Sequence, residues 1–333
     1  MQGDAAASSA STAPAVASPR KRRFLDMNDQ RTFASALMTP AQIVLLLIII
    51  FPLLTEVYIS MTSWTPTKGG NWYEAYKYWD WGKNYVEVLT DAAFWQALGR
   101  TFMMVGIAVP LEFLIGFGLA FLFLDEFRGK RFFHTVYLIP MMIVPAVTGY
   151  MFFMLFQSAG PINAALSLVA GQAVKIPWLS TETTAVIAVI VAEVWQWTPL
   201  MFLILVSGLM GLPEDQMRAA TMLGAGFWHK FRYLMLPILT PIIVIALVIR
   251  FMEAVKIFDA IFLLTQGGPA KATESLSVYL YKAAFLNLRW SYAAAAAMII
   301  LVIMTVLASY ALRPLQPPKA KPIEGVESSA AEV

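Results

Sequence analysis

Twenty consecutive residues near the C-terminal end, Tyr292–Ala311 (YAAAAAMIILVIMTVLASYA), contain no charged side chain. An α-helix rises about 1.5 Å per residue, so a run of this length covers the roughly 30 Å of hydrocarbon in a bilayer while satisfying its own backbone hydrogen bonds. The chain repeats the pattern. Apolar windows near Met38–Ile59, Gly99–Leu124, Val136–Phe156, Thr183–Met210 and Leu234–Leu264 bring the number of expected spans to six. With 59% hydrophobic and 14% charged residues over 333 positions, the sequence is too apolar for a soluble domain of that size. The expected fold class is an all-α membrane protein of six transmembrane helices. The third window, which carries Pro140 and Pro145, is the least regular.

Charge sets the expected orientation, because cytoplasmic flanks retain Lys and Arg. With the N-terminus inside, fourteen Lys and Arg fall on inner segments, from the Arg20-Lys21-Arg22-Arg23 cluster to Lys321, against seven on outer ones. Both termini are therefore expected in the cytoplasm. Residues 1–35 are rich in Ala, Ser and Pro and then basic, without the apolar core of a signal peptide, and read as a disordered tail. Residues 36–312 form the expected transmembrane domain, and 313–333 a second tail. The outer segment Thr62–Leu98 holds Trp64, Trp72, Trp79, Trp81 and Trp95, the composition of an interfacial belt or of a small external cap meeting a protein or a sugar ring.

Several chemistries are excluded or disfavoured. The chain has no Cys, which removes disulfides, thiolate metal sites and cysteine nucleophiles, and its two His, His134 and His229, are expected in short basic loops. No metal site is expected. The net charge of +3 comes without basic runs interleaved with aromatics, so nucleic acid is not an expected partner. Gly267-Gly268-Pro269-Ala270-Lys271 does not match a phosphate-cradling loop, so no nucleotide site is visible in this chain.

Charged residues inside spans usually face a cavity or a partner. The candidates are Glu112, Glu193, Arg250, Glu253, Lys256 and Asp259. The last four alternate in sign at steps of three, so neighbours in the series can pair along one helix. Alternatively, one or two of them bind solute hydroxyls. Glu193 and Trp197 share a helix face, and with Trp195 they could hold a sugar by hydrogen bonds and ring stacking.

Between spans four and five lies a polar, basic, Gly-broken segment, Gly211–Pro241. Pro213 followed by Glu214 and Asp215 is a helix start. Gly224 and Gly226 should end that helix, leaving about ten residues, a hinge, and a basic return through Phe227–Tyr233. Such a segment suits a soluble cytoplasmic partner.

These residues carry a resemblance. Arg218-Ala219-Ala220, Gly224 four residues later and Leu236-Pro237 twelve beyond that resemble the cytoplasmic loop of permease subunits of bacterial binding-protein-dependent ABC importers. Phe258-Asp259, Leu264-Thr265, Gly267-Gly268-Pro269, Thr273, Tyr279 and Tyr281 resemble the signature of the carbohydrate-uptake type, which includes maltose and glycerol-phosphate permeases. The likeness runs from about residue 40 to Arg313.

It implies a type I importer permease fold in the bacterial plasma (inner) membrane, with no catalysis in this chain and no cofactor of its own. It also implies a second related permease, two ATPase subunits expected as a homodimer that bind ATP and Mg, an extracytoplasmic solute-binding protein, and a sugar-type solute moved by alternating access. The loop 211–236 would engage the ATPase through Glu214, Arg218, Ala219, Ala220, Gly224, Leu236 and Pro237. The solute path would use Glu193, Trp195, Trp197, Arg250, Glu253 and Asp259. Two departures stand out: Arg218 replaces the usual Glu of the family, and Arg100 precedes Thr101 where Asn is common. The rivals are a secondary transporter, for which no convincing repeat between the first and second three spans is found, and a membrane enzyme acting on lipid-linked sugars, which needs a converging acid/base or metal set and against which the scarcity of His and the absence of Cys weigh.

Overall fold

The computed structural model describes residues 30–313. Among them the chain is helical, with only an isolated bridge between Thr62 and Trp79 in extended pairing. It divides between Thr55 and Glu56 into two units.

The first unit is carried by helix α1, Gln30–Ser60, whose apolar stretch begins at Leu37. The tail expected over 1–35 thus gives up its last residues to the helix, and the rest of it, like residues 314–333, lies outside the described residues. From Ile43 through Phe51 the large side chains of α1 are exposed, as a helix bathed in lipid requires.

The second unit begins with a small folded segment. The chain makes short 3-10 turns at Pro66–Lys68 and Trp72–Tyr78, then α2, Lys83–Thr90. Asn84 stitches it together, donating from Nδ2 to the carbonyls of Ser60 and Thr62 at 2.9 and 2.6 Å. Trp64 is 4% exposed and meets Trp290 edge-on at 5.8 Å, whereas Trp81 is 88% exposed. The tryptophans of this segment therefore do not act as one belt; at least one is a core residue.

Helix α3, Ala92–Leu122, starts at Asp91, whose Oδ1 accepts the amide of Ala93 at 2.8 Å. It packs closely on α7, Glu182–Met210: a Cβ on Gly116 would stand 3.0 Å from the backbone nitrogen of Phe202. Between them in sequence are α4, Lys130–Met142, α5, Pro145–Leu155, and α6, Pro161–Ala170. Helices α4 and α5 meet at 98°, so the expected third span is broken rather than merely irregular. The cause is local. Val144 precedes Pro145 and is pushed into extended backbone, and the side chain of Gln196 on α7 donates to the freed carbonyl of Ile143 at 2.8 Å. His134 is helical, not in a loop as expected, and sits between the rings of Phe123 and Phe202.

After α7 come α8, Glu214–Met222, α9, Phe227–Lys230, a π-turn at Phe231–Met235 and α10, Leu236–Val255. The fifth span is Phe227–Val255, shifted from the expected Leu234–Leu264. It stops because the chain leaves helical geometry at Phe258 (φ −133°, ψ −64°), and Asp259–Leu264 becomes a separate helix, α11. Helix α11 lies on α5 at Gly149, where a Cβ would come within 2.7 Å of the Ala260 carbonyl oxygen. Helices α12, Leu276–Tyr281, and α13, Trp290–Ala311, complete the unit. Among the described residues, five helices are long and apolar enough to cross a bilayer, or six if the bent α4–α5 pair counts as one span.

Candidate functional site

Three helices deliver one ion cluster into the bundle: Glu112 from α3, Glu193 from α7 and Arg250 from α10. Arg250 donates from Nε to one Glu112 oxygen at 2.6 Å and from Nη2 to the other at 3.0 Å, and Nη2 also donates to Glu193. The three side chains are 2%, 0% and 7% exposed for Arg250, Glu112 and Glu193. Charges that deep persist only when paired and hydrogen bonded. A planar guanidinium can serve two carboxylates at once, which a compact ammonium does less well. Trp197, one turn along α7 from Glu193, faces the guanidinium with its ring centroid 4.9 Å from Cζ.

Beside this cluster is a cavity of about 210 Å³ lined by Glu193, Trp197, Arg250, Glu253, Lys256 and Asp259, with Pro145, Ile257, Phe258 and Ala260 completing it. Its walls come from α5, α7, the end of α10 and the start of α11, the places where two spans break. Glu253 and Lys256 pair at 2.8 Å. Asp259 makes no side-chain hydrogen bond or ion pair among the described residues.

Of the six residues expected on the solute path, the structure gathers Glu193, Trp197, Arg250, Glu253 and Asp259 around this cavity. Trp195 is not among them. Two residues from either Glu193 or Trp197 it points to another side of α7, and its ring packs on Phe152 at 5.4 Å. The expected pairing along one helix holds for Glu253 and Lys256 only. Arg250 turns instead to carboxylates on two other helices, because there it is desolvated among apolar side chains and needs both partners. Pro145 and Phe258 were not anticipated as cavity residues; only tertiary packing brings them to it.

A second polar cluster ties the α2–α3 junction to α12 and α13. Asp91 Oδ2 accepts from Tyr279 at 2.8 Å and from Tyr292 at 2.6 Å. Burial pushes the Asp91 carboxyl up, but these hydroxyls, the Ala93 amide and nearby Arg289 together hold it below the usual aspartate range. Burial pushes the Tyr279 hydroxyl up to about 12. Arg289 covers the Tyr292 ring at 4.1 Å and pairs with Glu87.

On the segment between α7 and α10, Leu212 and Met217 pack against the bundle core, so α8 is seated rather than loose. Its outer surface is bare. Glu214 and Arg218 pair one turn apart with side chains 77% and 70% exposed. Met222 and Leu223 are each 88% exposed, and Phe227 and Trp228 63% and 64%. Ala219 is exposed and Ala220 half-buried on the same helix. Gly224 takes φ +80°, the left-handed conformation in which glycine is favoured, and its amide donates to Thr221 at 3.0 Å to close the helix. Leu236 and Pro237 are not on this turn; they open α10, beyond the π-turn.

Comparison with known proteins places this geometry. Residues 112–319 match the model of a family described as the binding-protein-dependent transport system inner membrane component. The chain is 39% identical to a probable ABC transporter permease protein of Sinorhizobium fredii over 74% of its own length and 78% of that protein. It is 32% identical to the trehalose/maltose transport system permease protein of Thermococcus litoralis, over 60% of its length and 67% of the relative's. Among solved structures it superposes on a chain of a bacterial alginate ABC transporter in complex with an alginate pentasaccharide-bound periplasmic protein, with a TM-score of 0.70, 19% identity, and coverage of 86% of this chain and 96% of the other. That match establishes a shared fold.

Proposed function

The chain belongs to the family of binding-protein-dependent transport system inner membrane components, and from that premise we propose that it is the transmembrane subunit of an ATP-driven importer that carries a sugar or sugar-derived solute into the cytoplasm. The observation that carries this reading is the surface around α8. A seated helix between two spans ends in Met222 and Leu223, both exposed, next to exposed Phe227 and Trp228 where the fifth span begins, and an exposed apolar surface of that kind at the edge of the spans suits a protein contact. An ATPase subunit fits it. The trehalose/maltose relative and the alginate-transporter neighbour support a carbohydrate solute, and the periplasmic protein in the latter supports delivery by a binding protein.

In this mechanism ATP binding draws the ATPase subunits together and moves α8 as a rigid piece. The motion passes through Leu212 and Met217 into the core shared by α3, α7 and α10. Arg250 joins those same three helices through Glu112 and Glu193. The three spans therefore shift together, and the cavity beside them opens to one side of the membrane and then the other. Solute hydroxyls meet the carboxylates of the cavity, and the ring's apolar face meets Trp197. A second, related permease supplies the facing half of the path. Both termini and α8 lie in the cytoplasm, in keeping with the Lys and Arg excess on those segments.

The test is reconstitution. With its partner permease, ATPase and binding protein, the chain should give uptake into liposomes that needs ATP and stops with vanadate. Uptake by this chain alone, without ATP, would overturn the proposal.

A further inference from the structure

Away from the cavity beside Arg250, a groove of about 390 Å³ runs between α3, α10 and α13, with Val105 and Pro110, Phe251 and Met252, and Leu307 and Tyr310 in its walls. No charged side chain lines it among the described residues. Gly106 on α3 keeps it open, since a Cβ there would have nothing within 4 Å. At one end of the groove α13 stops, and Arg313 just beyond it lies over the Tyr310 ring with Cζ 5.2 Å from the centroid. Among the described residues Arg313 pairs with no carboxylate, and the Tyr310 hydroxyl makes no hydrogen bond. An apolar slot thus ends at an uncommitted cation and a hydroxyl donor, at the edge of a span where lipid headgroups lie.

We infer that this groove holds an acyl chain of an anionic phospholipid, with Arg313 and the Tyr310 hydroxyl on its phosphate. The shape favours lipid over another span. A helix is about 10 Å across with a pitch of about 5.4 Å, so 390 Å³ takes in no more than roughly one turn of it. A single acyl chain lies within the same space. Lipid tails are as apolar as these walls, so entering the groove brings no hydrophobic gain. Selection therefore comes from the headgroup. A guanidinium makes charge-assisted bonds to phosphate oxygens, and a zwitterionic lipid offsets that attraction with its own cation. The inference stands on the placement of these spans in a bilayer, so failed sugar uptake would remove the importer reading and leave this one.

The full chain, purified with the subunits that accompany it, is stripped of lipid in mild detergent and returned to vesicles of phosphatidylglycerol and phosphatidylcholine in equal amounts. Native mass spectrometry after re-extraction counts the lipid retained. Phosphatidylglycerol should be retained in preference to phosphatidylcholine, and Arg313→Gln should lower that preference about fivefold, the worth of one basic residue beside an anionic headgroup. Gly106→Leu fills the groove and should lower retention of both lipids at an unchanged melting temperature. Gly118→Leu, equally open but away from the groove, is the control for that change and should be silent. Phosphatidylglycerol with a photoreactive tail should label peptides containing Gly106 and Leu307. Equal retention of the two lipids, unchanged retention in Arg313→Gln or Gly106→Leu, or a photo-crosslinking residue at Leu307 that captures a neighbouring span instead of lipid overturns the inference.

Discussion

Arg250 on α10 grips Glu112 on α3 through both carboxylate oxygens, at 2.6 and 3.0 Å, in a place where neither side chain meets solvent. With Glu193 added, one guanidinium fixes the separation of three spans. The asymmetry of such a cluster makes its loss predictable. Arg250→Ala leaves two carboxylates uncompensated and should cost about 3–5 kcal/mol, visible as a lower melting temperature in detergent. Glu112→Gln keeps a hydrogen-bond acceptor and leaves Arg250 paired with Glu193, so it should cost clearly less. Equal losses for the two variants would show that the cluster is not held by its single cation.

Trp195 and Trp197 differ by two positions and should behave differently. Trp197 faces the cavity and the Arg250 guanidinium, whereas Trp195 rests on Phe152. Trp197→Ala should raise the solute concentration needed for half-maximal uptake. Trp195→Ala should leave that concentration unchanged while lowering stability by about 1–3 kcal/mol through lost apolar burial. Transport kinetics on both variants, with melting curves beside them, check the assignment.

Much of the architecture is legible in the sequence because a span is a local property: twenty apolar residues announce themselves. Breaks in spans are less legible. Pro140 and Pro145 mark irregularity but not a turn of 98°, and the partner of the carbonyl it frees at Ile143, Gln196, lies on another helix. The end of α10 is hidden for a similar reason, since the segment after the break at Phe258 is largely apolar and its separate course shows only where it packs on α5 at Gly149. In the site, alternating charges at steps of three suggested pairing along one helix. The ion pairs of Arg250 instead join residues far apart in sequence, which periodicity cannot reveal.

Gly149 offers a direct probe of that packing. Any Cβ there would approach the Ala260 carbonyl oxygen to 2.7 Å, a backbone atom that cannot rotate away. Gly149→Val should displace α11 and with it Asp259, lowering uptake and stability together, by about 1–3 kcal/mol for the latter. Gly118→Ala, where a Cβ has nothing within 4 Å, is the control and should be silent in both measurements.

Asp91 links stability to pH. Burial pushes its carboxyl up, yet the Tyr292 and Tyr279 hydroxyls and the Ala93 amide outweigh that effect and hold it below the usual aspartate range in the folded chain. A lowered folded pKa contributes stability that is present above the unfolded value, about 3.9, and is lost as pH falls through the folded one. The melting temperature should therefore drop below about pH 4, and Asp91→Asn should flatten that part of the curve. Tyr292→Phe, which removes one hydroxyl donor, should cost about 1.5–3 kcal/mol at neutral pH, as a bond to a charged acceptor does. A pH profile unchanged in Asp91→Asn would assign the acid loss to other carboxylates.

Arg218 tests the proposed docking surface at a position where the resemblance implies Glu. On α8 it pairs with Glu214 one turn earlier, both largely exposed, so the pair itself is worth only about 0.2–0.5 kcal/mol. Arg218→Glu replaces attraction by repulsion of similar size and should leave the fold of the purified chain intact. Its effect on the complex should be larger, because it reverses one charge on the surface proposed to meet the ATPase. We expect binding protein and solute to stimulate ATP hydrolysis less in Arg218→Glu, while copurification of the subunits persists. Gly224→Val strains a backbone at φ +80° in open space and should uncouple hydrolysis from uptake by moving Met222 and Leu223 rather than by changing charge. If Arg218→Glu retains full stimulation while Gly224→Val loses it, the shape of α8 carries the coupling and its charge does not.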